Sequence, residues 1–209
     1  PDDIVAEVAA AAADGVTEVT LLGQNVNSYG RDLTKRRPLF AELLRRVGDV
    51  DGIRRVRYTS PHPKDLRPET IEAMAATPTV CEHLHLPLQS GSDRVLAAMH
   101  RGYTAERYLG RLAAARAAMP DLAVTTDVIV GFPGETDADF ERTLEVVAEA
   151  AYDSAYTFVF SPRPGTEAAT MADRFVDPDV VAERFERLRV VVERSGVARH
   201  HARVGRGEE

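Results

Sequence analysis

Ile4, Val5, Val8 and Ala12 recur at helical spacing over residues 2–13 and Gly15 follows as a stop, so the chain is predicted to open on a helix capped by Asp2 or Asp3. Residues 17–22 (TEVTLL) are rich in β-branched side chains and run into Gly23, which predicts a buried strand. The two periods then alternate along the chain. Helical spacing covers 39–50, 69–76, 92–99, 105–118, 137–151 and 178–203, and strand patterns cover 54–59, 83–88, 124–130 and 155–160.

Strands that return regularly, each followed by a helix, predict βα units, a parallel sheet and hence an α/β fold. Five such strands fit an open doubly wound sheet or part of a barrel. The partial barrel is favoured because nearly every strand runs into a polar loop, rather than only those at one switch point. One domain over 1–203 is expected, with 204–209 beginning a linker. Since the first element is a helix, a strand is expected to precede it.

Composition narrows the chemistry. With 44% hydrophobic and 28% charged residues, a chain of 209 residues can bury a core without disulfides or metals. The lone Cys81 excludes a disulfide framework, a zinc ribbon and any iron–sulfur cluster held by this chain alone. There is no apolar run of membrane-spanning length and no leader, so a cytoplasmic protein without membrane contact is expected. The net charge of -7 argues against a protein that is basic all over. All basic residues except Lys35 and Lys64 are arginine, however, and they bunch at 31–37 (RDLTKRR), Arg45-Arg46, 54–57 (RRVR) and 194–206. These bunches are either phosphate contacts or solvated faces.

In a parallel α/β fold, function gathers where strands end. Every side-chain amide of the chain falls at such a place: Gln24, Asn25 and Asn27 after the first strand, and Gln89 after the third. Amides donate and accept, which suits a neutral pocket reading a polar ligand; turn formation is the plainer alternative. The second strand ends in Ser60-Pro61-His62-Pro63, where two prolines restrict the backbone around His62, either over a pocket or in a rigid surface turn. On the third, His83, His85, Pro87 and Gln89 share one face and Leu84, Leu86 and Leu88 the other, as in a barrel interior. Gln89-Ser90-Gly91-Ser92 then opens a helix whose N–H and hydroxyl groups would accept a carboxylate or phosphate. The loop from Gly131 to Thr136 allows close ligand approach or a sharp turn, with Thr136 or Asp137 capping the next helix. After the fifth strand, Arg163 is placed to meet an anion or to lie exposed in a turn.

Taken together, LGQNVNSY (22–29), SPHP (60–63), HLPLQSGS (85–92), 127–136 and 160–166 resemble, in order and spacing, the radical S-adenosylmethionine methylthiotransferases over almost the whole chain. The fold implied is a partial (β/α) TIM-like barrel of the radical SAM type, its first strand and cysteine loop missing. Within the family, GQNVNSY and SPRPGT are most similar to the branch that adds a methylthio group to carbon 2 of isopentenyladenosine beside the tRNA anticodon. The branch acting on threonylcarbamoyl-adenosine is the nearest alternative.

The resemblance implies S-adenosylmethionine and two 4Fe-4S clusters as cofactors, the cluster ligands lying outside this chain. It also implies the tRNA anticodon stem-loop and a reductant such as flavodoxin or ferredoxin as partners of a monomer. Neither cluster motif is present, so the piece alone is expected to be inactive. The cofactor pocket carries over residue by residue: Gln24 and Asn25 at the methionine amino group, and Gln89, Ser90 and Asp127 at the ribose and carboxylate. Gly131 and Phe160 would flank the adenine, and His62, His85 and Arg163 the RNA, which is expected to present a flipped-out nucleoside. Two readings of other classes remain: an RNA-docking module working through its arginines, and a metal-dependent barrel hydrolase using His83 and His85.

Overall fold

The computed structural model describes residues 1–34 and 37–205. Lys35 and Arg36 of the first basic bunch, and residues 206–209 of the linker expected at 204–209, Arg206 among them, lie outside the described residues. The described chain contains α1 (Asp2–Ala13), β1 (Glu18–Leu21), α2 (Phe40–Gly48), β2 (Arg55–Tyr58), α3 (Pro68–Ala76), β3 (His83–His85) and α4 (Asp93–Ala98). It continues through α5 (Ala105–Ala118), β4 (Ala123–Val130), α6 (Asp137–Ala150), β5 (Ser154–Val159) and α7 (Pro178–His201). The order is that expected from the patterns. It divides into two units, Pro1–Leu86 with Gly110–Ala123, and Pro87–Leu109 with the chain from Val124 onward.

In the first unit, β1 and β2 pair in parallel, with Glu18 opposite Arg55 and Leu21 opposite Tyr58. Phe40, Leu43, Leu44 and Val47, spaced to share one face of α2, are all buried. Each such side chain contributes about 1.5–3 kcal/mol by leaving water. Phe40 meets the Tyr58 ring edge-on at 5.1 Å, joining α2 to the strands. The start of α1 differs from expectation: Asp2 is already helical, Pro1 is the capping residue without a side-chain bond, and Asp2 pairs with Arg46 at 2.7 Å. The third strand is also shorter than read, ending at His85 rather than at 88. Pro87 has no N–H to give a ladder, and the Leu88 N–H goes to the Thr126 hydroxyl at 2.9 Å.

In the second unit, β4 and β5 pair in parallel, Asp127 lying opposite Tyr156 and Ile129 opposite Phe158. Burial alternates along β4: Val124, Thr126, Val128 and Val130 are buried, while Thr125, Asp127 and Ile129 on the other face are half-exposed. That second face is where a ligand can approach. Thr136 and Asp139 form a capping box at the start of α6, and Asp177 caps α7 through the Asp179 N–H.

Gly91 shows how closely these parts fit. A Cβ there would lie 2.6 Å from Thr143 Cα and 2.7 Å from the Arg142 carbonyl oxygen, both backbone atoms of α6. Gly91→Ala should therefore destabilise the fold by about 1–3 kcal/mol, the usual cost of overpacking, measured by urea denaturation. An unchanged midpoint would show that α6 can retreat freely.

Three buried aspartates push the response to pH in one direction. Burial alone would raise each carboxyl, but at Asp139 the hydrogen bonds from Arg94, Ser92 and Thr136 outweigh it and hold it well below the ordinary value. The Val124 N–H with Arg203 and Arg199 does the same at Asp153, and Asn25 with Arg31 at Asp65. An acid with a depressed folded-state value stabilises the fold above its unfolded value and loses that contribution as pH falls through the folded one. Urea stability should thus decline steadily below about pH 5; a midpoint flat down to pH 3 would contradict these assignments.

Candidate functional site

The largest grouping of the expected site residues is in the second unit. A cavity of about 640 Å³ is lined by Gln89, Asp127, Phe160 and Arg163, joined by Met99, His100, Arg101, Ile129, Phe132, Phe158 and Met171. That volume is within the range of small-molecule and cofactor sites. It opens at the carboxyl ends of β4 and β5, and Asp127 and Ile129 enter it from the half-exposed face of β4.

Backbone geometry aims two of these residues. Gln89 has φ +67° and His100 φ +56°, the left-handed region that costs a residue with a side chain energy. At Gln89 the turn is held from both sides, its N–H donating to the Asp127 carbonyl at 2.8 Å and its carbonyl accepting from the Ile129 N–H at 2.9 Å. His100 stands just past α4, where the Arg101 N–H closes back on the Leu96 carbonyl at 3.0 Å. Its ring faces Glu167 with Nε2 3.3 Å from the carboxylate, and Glu167 lines the same cavity.

Aromatic and charged groups divide the walls. Phe132 meets Phe160 at 5.6 Å and Phe160 meets Phe175 at 5.7 Å, both edge-on, which makes a firm apolar side. Arg101 contributes a guanidinium whose Nε is buried and has no partner among the described residues. Nothing in the sequence pattern marked Arg101, which follows a helix end rather than a strand end; its place 12 residues beyond Gln89 becomes meaningful only once the α4 turn brings both to one cavity.

Ser90 and Gly131 support this site from behind. Ser90 is fully buried, and its hydroxyl accepts from the Ser92 N–H at 3.1 Å and lies 3.3 Å from the Thr143 hydroxyl. The anion expected at the start of α4 is supplied by the protein itself: Asp139 accepts from the Ser92 hydroxyl at 2.6 Å and pairs with Arg94. Gly131, at φ +77°, packs under Val181, whose Cγ2 would be 2.7 Å from a Cβ, and its N–H donates to Glu135 at 3.0 Å.

The remaining expected residues belong to the first unit. Gln24 is exposed, whereas Asn25 is half-buried, with Nδ2 donating to Asp65 at 2.8 Å and Oδ1 left without a partner among the described residues. Arg31 pairs with the other oxygen of Asp65. Asn27 is structural: its amide exchanges both bonds with the His62 backbone, at 2.9 and 3.1 Å, tying the loop after β1 to the turn after β2. His62 caps the short helical turn that follows, Nδ1 accepting from the Lys64 N–H at 3.1 Å. His85 is half-exposed on β3 between the buried Leu84 and Leu86.

Most arginine bunches contain residues paired to acids, the first two sets at the surface and the last at the buried Asp153. Arg46 pairs with Asp2, Arg55 and Arg57 with Glu18, and Arg199 and Arg203 with Asp153. These pairs compete with any phosphate. Beside His83 and His85 no metal set forms: among the described residues, no group of three or more histidine, cysteine, aspartate or glutamate side chains could hold an ion. No helix among them is long and apolar enough to cross a membrane.

Parallel βα units with polar residues converging on a cofactor-sized cavity at the strand ends define an α/β core with a candidate ligand site. Residues 1–147 match the family model of the Radical SAM superfamily, and the chain belongs to that superfamily. Membership implies the use of S-adenosylmethionine and an iron–sulfur cluster. The chain is 60% identical over 205 residues to the tRNA-2-methylthio-N(6)-dimethylallyladenosine synthase of Salinispora arenicola, covering 98% of this chain and 40% of that protein. It is 57% identical to the synthase of the same name from a Parafrankia species, over all of this chain and 42% of the relative. The chain thus spans about 40% of the length of these curated relatives. Among solved structures, coproporphyrinogen III oxidase from Escherichia coli, a radical SAM enzyme, overlays with a TM-score of 0.66 at 16% identity. That overlay covers 93% of this chain and 45% of the oxidase. Streptococcus suis SuiB bound to S-adenosylmethionine overlays at 0.55 and 13%, covering 92% and 39% of the two chains. These likenesses bear out the partial radical SAM barrel.

Proposed function

We propose that residues 1–203 form the S-adenosylmethionine-binding barrel of a cytoplasmic tRNA methylthiotransferase, which adds a methylthio group to carbon 2 of isopentenyladenosine beside the anticodon. The observation that carries this reading is the cavity of the second unit, where a cation, an acid, an amide and an aromatic wall meet. Arg101, a cation in the wall, fits the ligand's carboxylate; Gln89 and Asp127 fit the ribose hydroxyls; Phe132 and Phe160 fit a flat purine. Gln24 and Asn25 at an amino group, and His62, His85 and Arg163 at the RNA, are separate proposals resting on the resemblance alone.

The residues of this chain do not fit an iron–sulfur cluster, since Cys81 is its only cysteine. Their contribution is therefore to bind S-adenosylmethionine, orient its nucleoside and keep water from it. Two 4Fe-4S clusters, a flavodoxin-like or ferredoxin-like reductant and a monomeric state are further parts of the proposal. A docking module is the weaker reading, because the arginines it needs are largely paired to acids.

The test uses the full-length protein, reconstituted anaerobically with iron and sulfide and given reductant, S-adenosylmethionine and isopentenylated tRNA. Mass spectrometry of the digested nucleosides should show a methylthio gain on that adenosine. A gain only on threonylcarbamoyl-adenosine would move the protein to the other branch, and tRNA binding without any modification would favour the docking module.

A further inference from the structure

We propose that Arg184 of α7 is a positioning residue for the cavity, fixing through Glu135 the turn that carries Phe132 into its wall and thereby setting affinity for the nucleoside end of the ligand. The inference rests on reading the cavity as the S-adenosylmethionine site. Arg184 is only 5% exposed and does not line the cavity. Its NH1 donates to Glu135 Oε2 at 2.9 Å and to the Glu135 carbonyl at 3.2 Å, and its NH2 to Asp137 at 2.6 Å. The same Glu135 oxygen accepts the Gly131 N–H at 3.0 Å, and the Glu135 N–H closes on the Phe132 carbonyl at 2.8 Å.

The guanidinium therefore holds the carboxyl end of the turn directly, and the Gly131 end through the Glu135 carboxylate. Val181, one turn earlier on α7, packs against Gly131 and leaves the turn no room to move toward the helix. Phe132 in turn braces Phe160. A buried ion pair is a costly way to gain stability, since an apolar pair of similar volume often serves as well or better. What the charged pair adds here is direction: a forked donor that reads one carboxylate, one carbonyl and one further acid accepts a single placement of the turn.

The experiment separates direction from stability. In the full-length, cluster-loaded protein, Arg184→Met with Glu135→Leu replaces the pair by apolar side chains, and Arg184→Lys keeps the charge but loses the fork. Dissociation constants for S-adenosylmethionine and 5′-methylthioadenosine are measured by equilibrium dialysis beside urea midpoints. The double variant, in which the Gly131 N–H also loses its acceptor, should show a lowered midpoint and bind both ligands about tenfold or more weakly, whereas Arg184→Lys, which keeps a cation against Glu135, should hold its midpoint closer to wild type and still bind both ligands several-fold more weakly. Unchanged affinities in the two variants would overturn the role of Arg184 while leaving the cavity reading intact. A wild-type protein that binds neither ligand would overturn the cavity reading and this inference with it.

Discussion

Arg184→Met alone should cost about 3–5 kcal/mol of folding stability, the penalty for leaving one member of a buried pair behind. Glu135 is 5% exposed and already carries one oxygen, Oε1, with no partner among the described residues. Burial pushes its carboxyl up despite the Gly131 N–H and Arg184, so the charge is tolerated only because those groups face it. Removing the guanidinium leaves that charge with a single N–H. Because the raised carboxyl can take up a proton, the deficit should shrink as pH falls toward the ordinary carboxylate range, opposite in sign to the acid sensitivity of Asp139. Urea denaturation at two pH values measures both. A loss under about 1 kcal/mol, typical of exposed pairs, would contradict the account of this pair.

Arg101→Ala should weaken S-adenosylmethionine binding by about 10–100-fold, the equivalent of one charge-assisted hydrogen bond of about 1.5–3 kcal/mol. Arg101 lines the cavity, so a ligand carboxylate can meet the outer N–H groups of its guanidinium. Arg101→Lys should recover only part of the loss, because an ammonium cannot present two parallel N–H groups. 5′-Methylthioadenosine, which has the nucleoside and thioether but no carboxylate, should bind the variant as well as it binds the wild type. Equal weakening of both ligands in equilibrium dialysis would mean that Arg101 shapes the cavity instead of reading the carboxylate.

Much of the fold was legible because hydrophobic spacing and β-branched runs report burial directly. Phe40, Leu43, Leu44 and Val47 announce α2, and the alternation of Val124, Thr126, Val128 and Val130 announces β4. The third strand was overread because alternation from His83 to Gln89 continues past Pro87, and pattern alone does not register a missing N–H or the φ of +67° at Gln89. At the site, Gln89, Asp127, Phe160 and Arg163 were legible as polar or aromatic residues at strand ends. For Ser90 the sequence carries no distinction, since a hydroxyl at a helix start looks the same whether it awaits a ligand or, as here, lies beside the Thr143 hydroxyl of α6. Arg101 and His100 were missed because they follow a helix, and the buried pairing of Arg184 with Glu135 spans 49 residues. Pairings at that separation are set by packing, which local spacing does not encode.

The claim at the centre is that the cavity of the second unit binds S-adenosylmethionine. A photoreactive azido-adenine analogue, bound to the full-length, cluster-loaded protein, irradiated and mapped by peptide mass spectrometry, tests it most directly. Label competed away by S-adenosylmethionine and carried by the peptides containing Met99 to Arg101 or Phe158 to Arg163 is the predicted result. Competed label confined to peptides outside the cavity, with those two unmarked, would contradict it.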